Sequence, residues 1–339
     1  MDGHAGRARR TFPLAILAWI AGILAGCAGS AALRNDAALD AEYRARMAVA
    51  FGAGTASQEA DDLLAEYGER FGTLPERVTW RTIRTGSGLA INVFRTGNAR
   101  GTAMVVHGYL DDSTAMSGII RTCLESGWSV LAVDLPGHGL SGGPRADTRD
   151  LADYGRALSE AADFAAGYTE GGPLVAVAHS AGGLAALEWA RLEAGNPASR
   201  LEGLFLMAPL VRPRAWWLLG PLTGIAGVFT DRLPVEANEG LFLNPKYLPL
   251  GWTGALRRWL RRTKDFPVLD LSAVIAYGED ENVLDVKYAR RFFTRTLPGA
   301  EWISVEDGGH FGIAQGDASP VVRAALGPFL DGIARGSGR

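Results

Sequence analysis

Ser180 stands inside the run LVAVAHSAGGLAALEWA, Leu174 to Ala190, where an apolar β-branched stretch gives way to a helix-like one. Its neighbours Ala178, Ala181 and Gly182 are small, as a tight corner between a strand and a helix requires. Such a corner strains the backbone of its central residue, lifts that side chain clear of the sheet and leaves it at the electropositive end of a helix. A hydroxyl there is a weak nucleophile until a base takes its proton. Histidine is the base best matched to neutral pH. A carboxylate must then fix the imidazole tautomer and stabilise its cation. The chain has five histidines, His4, His107, His138, His179 and His310, and all but His4 lie in short glycine-bearing motifs: VVHGY, VDLPGHGLSGG, AHSAGG and DGGHFG. Carboxylates gather in YGEDENVLD, which offers Asp280, Glu281 and Asp285.

These residues need elements that hold them. RVTWRTIRT (77–85) and LAINVFRT (89–96) read as a hairpin around Gly86 and Gly88. Short apolar strands and helices then alternate: TAMVVHG, SGIIRTCLES, WSVLAVDLPG, LADYGRALSEAADFAAGY, PLVAVAHS, GGLAALEWARLEA and LEGLFLMAP. The alternation breaks over residues 212–266 and resumes with LSAVIAYG, KYARRFFTRT, EWISVED and PVVRAALGPFLDGIA. Apolar strands separated by helices imply a mostly parallel central sheet with helices on both faces, here with an antiparallel hairpin at one edge.

The motifs VVHGY, VDLPGHGLSGG, AHSAGG and DGGHFG, in this order over residues 77–335, resemble the α/β-hydrolases, closest to the monoacylglycerol lipase and lysophospholipase-like branch. The match departs at Ala178, where G-x-S-x-G would have glycine. The resemblance implies an α/β-hydrolase fold with an inserted cap and the chain order serine, acid, histidine. Ser180 is then the nucleophile and His310 the base. The family register, three residues past Gly278, points to Glu281 as the acid; Asp280 serves if the loop is shifted by one, and Asp285 is the third carboxylate in reach. The backbone N–H groups of Tyr109 and Ala181 would meet the oxyanion. His107, His138 and His179 would satisfy loop backbone groups, and Asp134 and Ser141 would organise the DLPGHGLS loop.

The N-terminus carries Arg7, Arg9 and Arg10 before the apolar run TFPLAILAWIAGIL, too short for a membrane span and suited to a signal-peptide core. It ends in LAGC, which resembles the bacterial lipobox, so Cys27 is expected to be lipidated; an uncleaved anchor helix is the other reading. Either places the chain in the cell envelope, outside the cytoplasmic membrane. The organisation expected is a lipoprotein signal peptide over 1–27, a tether and lead-in helix over 28–75, core over 76–211, cap over 212–266 and core again over 267–336. With Cys27 acylated, Cys123 is left alone, which removes disulfides and cysteine metal clusters. Composition is 47% hydrophobic and 21% charged, enough to bury a sizeable core. Net charge is −3 and only RRWLRRTK (257–264) clusters basic residues, so no nucleic-acid partner is expected. No phosphate-cradling glycine loop or metal-ligand spacing appears, and the expected chemistry is free of cofactors and metals.

The insertion opens with RAWWLLGPLTGIAGVF, strongly apolar and broken by Gly220, Pro221, Gly224 and Gly227. It reads as an acyl-chain wall, a surface that dips into a lipid interface, or simply packing onto the core. An apolar cap and a membrane tether favour a lipid-like ester, a monoacylglycerol or a lysophospholipid. A proline-iminopeptidase-like peptidase shares the fold and triad and would need Asp231, Glu236 or Glu239 to hold a substrate amine. A catalytically silent binding lipoprotein is the reading from a different class.

Overall fold

The computed structural model describes Ala45 and residues 58–167, 172–234 and 247–336. In chain order the elements are α1 (Gln58–Glu69), β1 (Thr79–Arg84), β2 (Ala90–Arg95), β3 (Thr102–Val106), α2 (Ser117–Glu125), β4 (Ser129–Val133), α3 (Ala152–Ala165), β5 (Leu174–His179), α4 (Ala181–Glu193) and β6 (Leu201–Met207). They continue with α5 (Trp216–Ala226), β7 (Arg232–Pro234), β8 (Tyr247–Pro249), α6 (Leu250–Arg262), β9 (Ser272–Gly278), α7 (Val286–Thr296), β10 (Glu301–Val305) and α8 (Pro320–Gly336).

Eight strands form one sheet in the order β1-β2-β4-β3-β5-β6-β9-β10. The six from β4 to β10 run parallel, and the β1–β2 hairpin joins β4 antiparallel. Every residue of β3, β4 and β5 is buried, because helices cover both faces there and neither side of the strand meets water. That explains why these strands read as continuous apolar runs. Strand β5, which ends just before Ser180, lies between β3 and β6, so the corner at its end stands over the middle of the sheet. Helix α4 is buried from Ala181 through Ala190 and is apolar there but for Glu188, as suits a central helix.

The lead-in helix α1 packs onto the core. Tyr67 on α1 and Phe71 just after it are buried in the main hydrophobic cluster. The Tyr67 hydroxyl donates to Asp134 Oδ2 at 2.8 Å. Phe71 meets Phe94 edge-on with ring centroids 5.0 Å apart. One apolar face of α1 needs cover, and the hairpin supplies it.

Between β6 and β9 stand α5, the two-stranded β7–β8 pair and α6. The face of α6 formed by Trp252, Leu256, Trp259 and Thr263 is buried at helical spacing. Three of its four arginines are spent within the molecule: Arg257 donates to the Gly220 carbonyl, Arg258 to the Arg149 carbonyl and Arg262 to Asp150. Trp259 Nε1 donates to buried Glu188 on α4 at 2.5 Å, which ties the insertion to the nucleophile helix. Helix α5 behaves differently. Trp217 is 80% exposed and Phe229, just past its end, 82% exposed, with Ile225 and Val228 also in the open. No helix among the described residues is long and apolar enough to cross a membrane. The signal peptide, Cys27, Glu236 and Glu239 lie outside the described residues.

Candidate active site

The corner after β5 takes the shape its small residues allow. Ser180 has φ 50° and ψ −115°, a left-handed conformation that costs a non-glycine residue on the order of 1–3 kcal/mol. The surroundings hold it there: the Ser180 N–H donates to the Met207 carbonyl at 3.0 Å, and its own carbonyl accepts from Leu210 N–H at 2.8 Å. Gly182 is required two residues on, since a Cβ there would lie 2.5 Å from the carbonyl oxygens of Val106 and His107. Ala178, where the motif pattern has glycine, is fully buried with its methyl accommodated.

Three side chains from three separate connections meet at this corner. His310, in the loop after β10, places Nε2 3.0 Å from Ser180 Oγ. Its Nδ1 lies 2.7 Å from Glu281 Oε2. A carboxylate only accepts, so the proton sits on Nδ1 and Nε2 is left bare toward the serine hydroxyl. Glu281 follows β9, and its other oxygen accepts from the N–H groups of Val283 at 2.7 Å and Leu284 at 2.9 Å. Burial pulls the Glu281 carboxyl up, but the His310 hydrogen bond and charge, with those two N–H groups, outweigh burial and hold it below its ordinary value. All three residues are buried, Ser180 being 8% exposed.

The other two carboxylates are elsewhere. Asp280 is exposed. Asp285 caps α7 by accepting from Tyr288 N–H at 2.9 Å and pairs with Arg212. Ala181 opens the 13-residue α4, so its N–H stands at the positive end of the helix dipole. Tyr109 follows β3. Neither the Tyr109 nor the Ala181 N–H is spent on an acceptor among the described residues.

The remaining histidines hold backbone. His107 Nε2 accepts from Leu135 N–H at 3.0 Å and its Nδ1–H donates to the Gly108 carbonyl at 2.7 Å. His138 Nδ1–H donates to the Pro136 carbonyl at 3.0 Å. His179 Nε2–H donates to the His310 carbonyl at 2.9 Å. Asp134 accepts from Leu140 N–H and Ser113 N–H, both at 2.8 Å, and Ser141 Oγ donates to the Asp134 carbonyl at 2.5 Å.

Two features escaped the sequence reading. The Tyr109 ring stacks on Trp252 of α6, centroids 4.0 Å apart, and its hydroxyl donates to the Ala146 carbonyl at 2.7 Å. The insertion therefore rests directly on the segment that carries one of the free N–H groups. Asp111, two residues further, accepts from Gln315 of the histidine loop at 2.5 Å. No group of three or more His, Cys, Asp or Glu side chains among the described residues is arranged to hold a metal.

The same fold recurs among solved structures of low sequence identity. A soluble variant of monoglyceride lipase from Saccharomyces cerevisiae, in complex with a substrate analogue, is 16% identical, with a TM-score of 0.58 over 77% of this chain and 96% of its own. A monoacylglycerol lipase from Paleococcus ferrophilus is 16% identical, with a TM-score of 0.57 over 75% of this chain and 98% of its own. Est1E from Butyrivibrio proteoclasticus, with ferulic acid bound, is 16% identical, with a TM-score of 0.57 over 75% of this chain and 99% of its own. No curated protein matches the sequence. The sequence pattern described as "Serine aminopeptidase, S33" matches residues 97–306, more than half of the 339. The chain belongs to this serine aminopeptidase family of α/β-hydrolases.

Proposed function

We propose that this hydrolase cleaves carboxylic esters through an acyl-enzyme on Ser180, and that its substrates are lipid-like, a monoacylglycerol or a lysophospholipid. One observation carries the reading: the chain Ser180 Oγ, His310 Nε2, His310 Nδ1, Glu281 Oε2, at 3.0 and 2.7 Å, on a strained corner. In this reading His310 takes the Ser180 proton as Oγ attacks the ester carbonyl. Glu281 stabilises the imidazolium that results. The N–H groups of Tyr109 and Ala181 receive the oxyanion, each donor being worth roughly 2.7–4 kcal/mol. His310 then protonates the leaving alcohol, and water reverses the sequence on the acyl-enzyme. Asp280 and Asp285 have no part in it.

The lipid-like substrate is supported by the open apolar face of α5, with Trp217, Ile225, Val228 and Phe229. Exposed aromatics at both ends of a short apolar helix suit contact with an acyl phase. We further propose that lipidated Cys27 tethers the chain to a membrane of the cell envelope; this stands on the LAGC motif and its flanks alone. The family's name favours a second reading, an aminopeptidase. It needs a carboxylate for the substrate amine, and Asp231 is already paired with Arg232 at 3.2 Å.

The test is fluorophosphonate labelling of wild type and Ser180→Ala, beside hydrolysis of p-nitrophenyl esters of rising chain length and of aminoacyl-p-nitroanilides. Labelling that is lost with Ser180→Ala, with turnover that rises with acyl length, is the expected result. Preference for the anilides selects the aminopeptidase. Absence of labelling in folded wild type leaves a binding lipoprotein. Incorporation of an alkyne-palmitate that Cys27→Ala abolishes tests the tether.

A further inference from the structure

The loop that carries His310 runs from the end of β10 at Val305 to the start of α8 at Pro320, a long excursion for a group whose ring must be held to a fraction of an ångström. Its far end is fastened to the segment that follows Tyr109. Gln315 Nε2 donates to Asp111 Oδ2 at 2.5 Å. Beside it, Gly316 N–H donates to the Ala115 carbonyl at 2.9 Å and Gly118 N–H to the Gly316 carbonyl at 2.8 Å. The backbones touch: a Cβ on Gly118 would lie 2.4 Å from the Gly316 oxygen.

The histidine loop has a second tie close to Asp111. The His179 ring, next to the nucleophile, holds the His310 carbonyl through Nε2–H. Its Nδ1 is buried and has no hydrogen-bond partner. That atom and Asp111 Oδ2 flank the same bare backbone, since a Cβ on Gly108 would lie 3.0 Å from the one and 3.2 Å from the other.

We propose that Asp111 and Gln315 form a clasp of positioning residues. It holds the His310 loop against the Tyr109 segment through the hydrogen bond that Gln315 Nε2–H donates to Asp111 Oδ2. The inference rests on the hydrolase reading for its effect on turnover but not for the contact itself.

The protonation states fit. Burial, with the nearby His310 and His107, pushes His179 down to about 3, so the ring is neutral and Nδ1 offers a lone pair. Burial, then the charge of Asp112, pushes Asp111 up to about 8 against the Gln315 hydrogen bond. The groups that face Asp111 are Asp112 on its own segment, His179 from the nucleophile corner, and Gln315 from the histidine loop. None of these brings a positive charge at neutral pH. The acid form still accepts from Gln315. The ionised form buries a charge against a lone pair and a second carboxylate, and water must enter to solvate it. The sign follows: the folded acid keeps a proton that the unfolded chain releases above its ordinary 3.8, so stability declines from about pH 4 to about pH 8 and is level beyond.

The test uses the full chain with Asp111→Asn, Asp111→Leu and Gln315→Leu. It reads kcat and KM on a short soluble ester between about pH 6 and about pH 10, and amide hydrogen exchange at Gly118 and Gly316. Asp111→Leu and Gln315→Leu are expected to lower kcat about 10- to 100-fold with KM within about twofold, the scale of a small misplacement of the reacting groups. Both should speed exchange at the two glycines. Asp111→Asn, which mimics the neutral acid, should keep most of kcat at neutral pH and abolish the decline wild type shows above about pH 8. Folded Leu variants with wild-type kcat and wild-type exchange overturn the clasp. Wild type that turns over no ester overturns the hydrolase reading instead, and exchange at Gly118 and Gly316 then decides the clasp alone.

Discussion

Replacing Glu281 by glutamine isolates what its two oxygens do. Oε1 satisfies the N–H groups of Val283 and Leu284, while Oε2 receives the proton on His310 Nδ1. Glutamine brings one oxygen and one NH2 to the same place. The oxygen stays with the backbone pair, because a buried donor left unsatisfied costs about 1–3 kcal/mol and two donors stand on that side against one on the other. The NH2 then faces Nδ1, which must present its lone pair, and the ring proton moves to Nε2. A protonated Nε2 cannot take the proton of Ser180. The loss expected is on the order of 10⁴ in kcat, the scale seen when a triad acid becomes an amide, or about 5.5 kcal/mol at 1.36 kcal/mol per decade. Burst-resolved hydrolysis of a p-nitrophenyl ester, with a thermal melt to show that the variant folds, measures it. Stability offers an independent check. The folded carboxyl is held below its ordinary 4.5, so Glu281 contributes stability above that pH which fades as pH falls through its folded value. The gap between wild type and Glu281→Gln should therefore narrow in acid. A folded glutamine variant within about tenfold of wild type in kcat refutes the tautomer argument.

Trp259→Phe keeps the ring but leaves Glu188 Oε1 buried without its indole donor; urea unfolding should show a loss of about 1.5–3 kcal/mol, and a loss below about 0.5 kcal/mol would mean that Arg191 satisfies Glu188 alone. Trp217→Ser with Phe229→Ser removes the two most exposed aromatics of the insertion. Co-sedimentation with phospholipid vesicles should fall at least about tenfold for an apolar loss of this size, with hydrolysis of a short soluble ester within about twofold; equal sedimentation would detach that face from lipid.

The order of strands and helices was readable because a parallel sheet covered on both faces has a pattern of its own: TAMVV, SVLAV and LVAVAH are apolar at every position and buried at every position. The corner at Ser180 was readable because its sterics act on adjacent residues. Gly182 marks the corner two residues past the serine, although the carbonyls that leave no room for a Cβ there belong to Val106 and His107 at the end of β3. The position of Glu281 was readable as a register, though the sequence left three carboxylates in play, and what separates them is which one has two backbone N–H groups to accept and an imidazole to face. The rest was not local. Gln315 has no motif around it and meets Asp111 across 204 positions of chain. Tyr67 reads as one apolar position of an amphipathic helix, and nothing in its neighbourhood announces the buried carboxylate of Asp134 that its hydroxyl meets. The arginines of RRWLRRTK read as a basic surface until their acceptors are known, since carbonyl oxygens such as those of Gly220 and Arg149 have no signature in sequence.

The chain that leaves β6 for the insertion does not swing freely. Leu210 N–H is held by the Ser180 carbonyl, Arg214 N–H donates to the Val283 carbonyl at 2.8 Å, Asp285 N–H donates to the Arg212 carbonyl at 2.9 Å, and Pro213 bridges Leu284. The first residue past this stalk, Ala215, turns into the left-handed region at φ 53°. The stalk therefore belongs mechanically to the acid loop, and the insertion begins as a separate part at Ala215. A foreign lid spliced in after Arg214 would inherit a docking point already braced against the nucleophile and the acid. The insertion's far side is a second attachment, because Trp259 and Trp252 meet Glu188 and Tyr109, so any replacement would have to bring an indole donor and a stacking ring of its own.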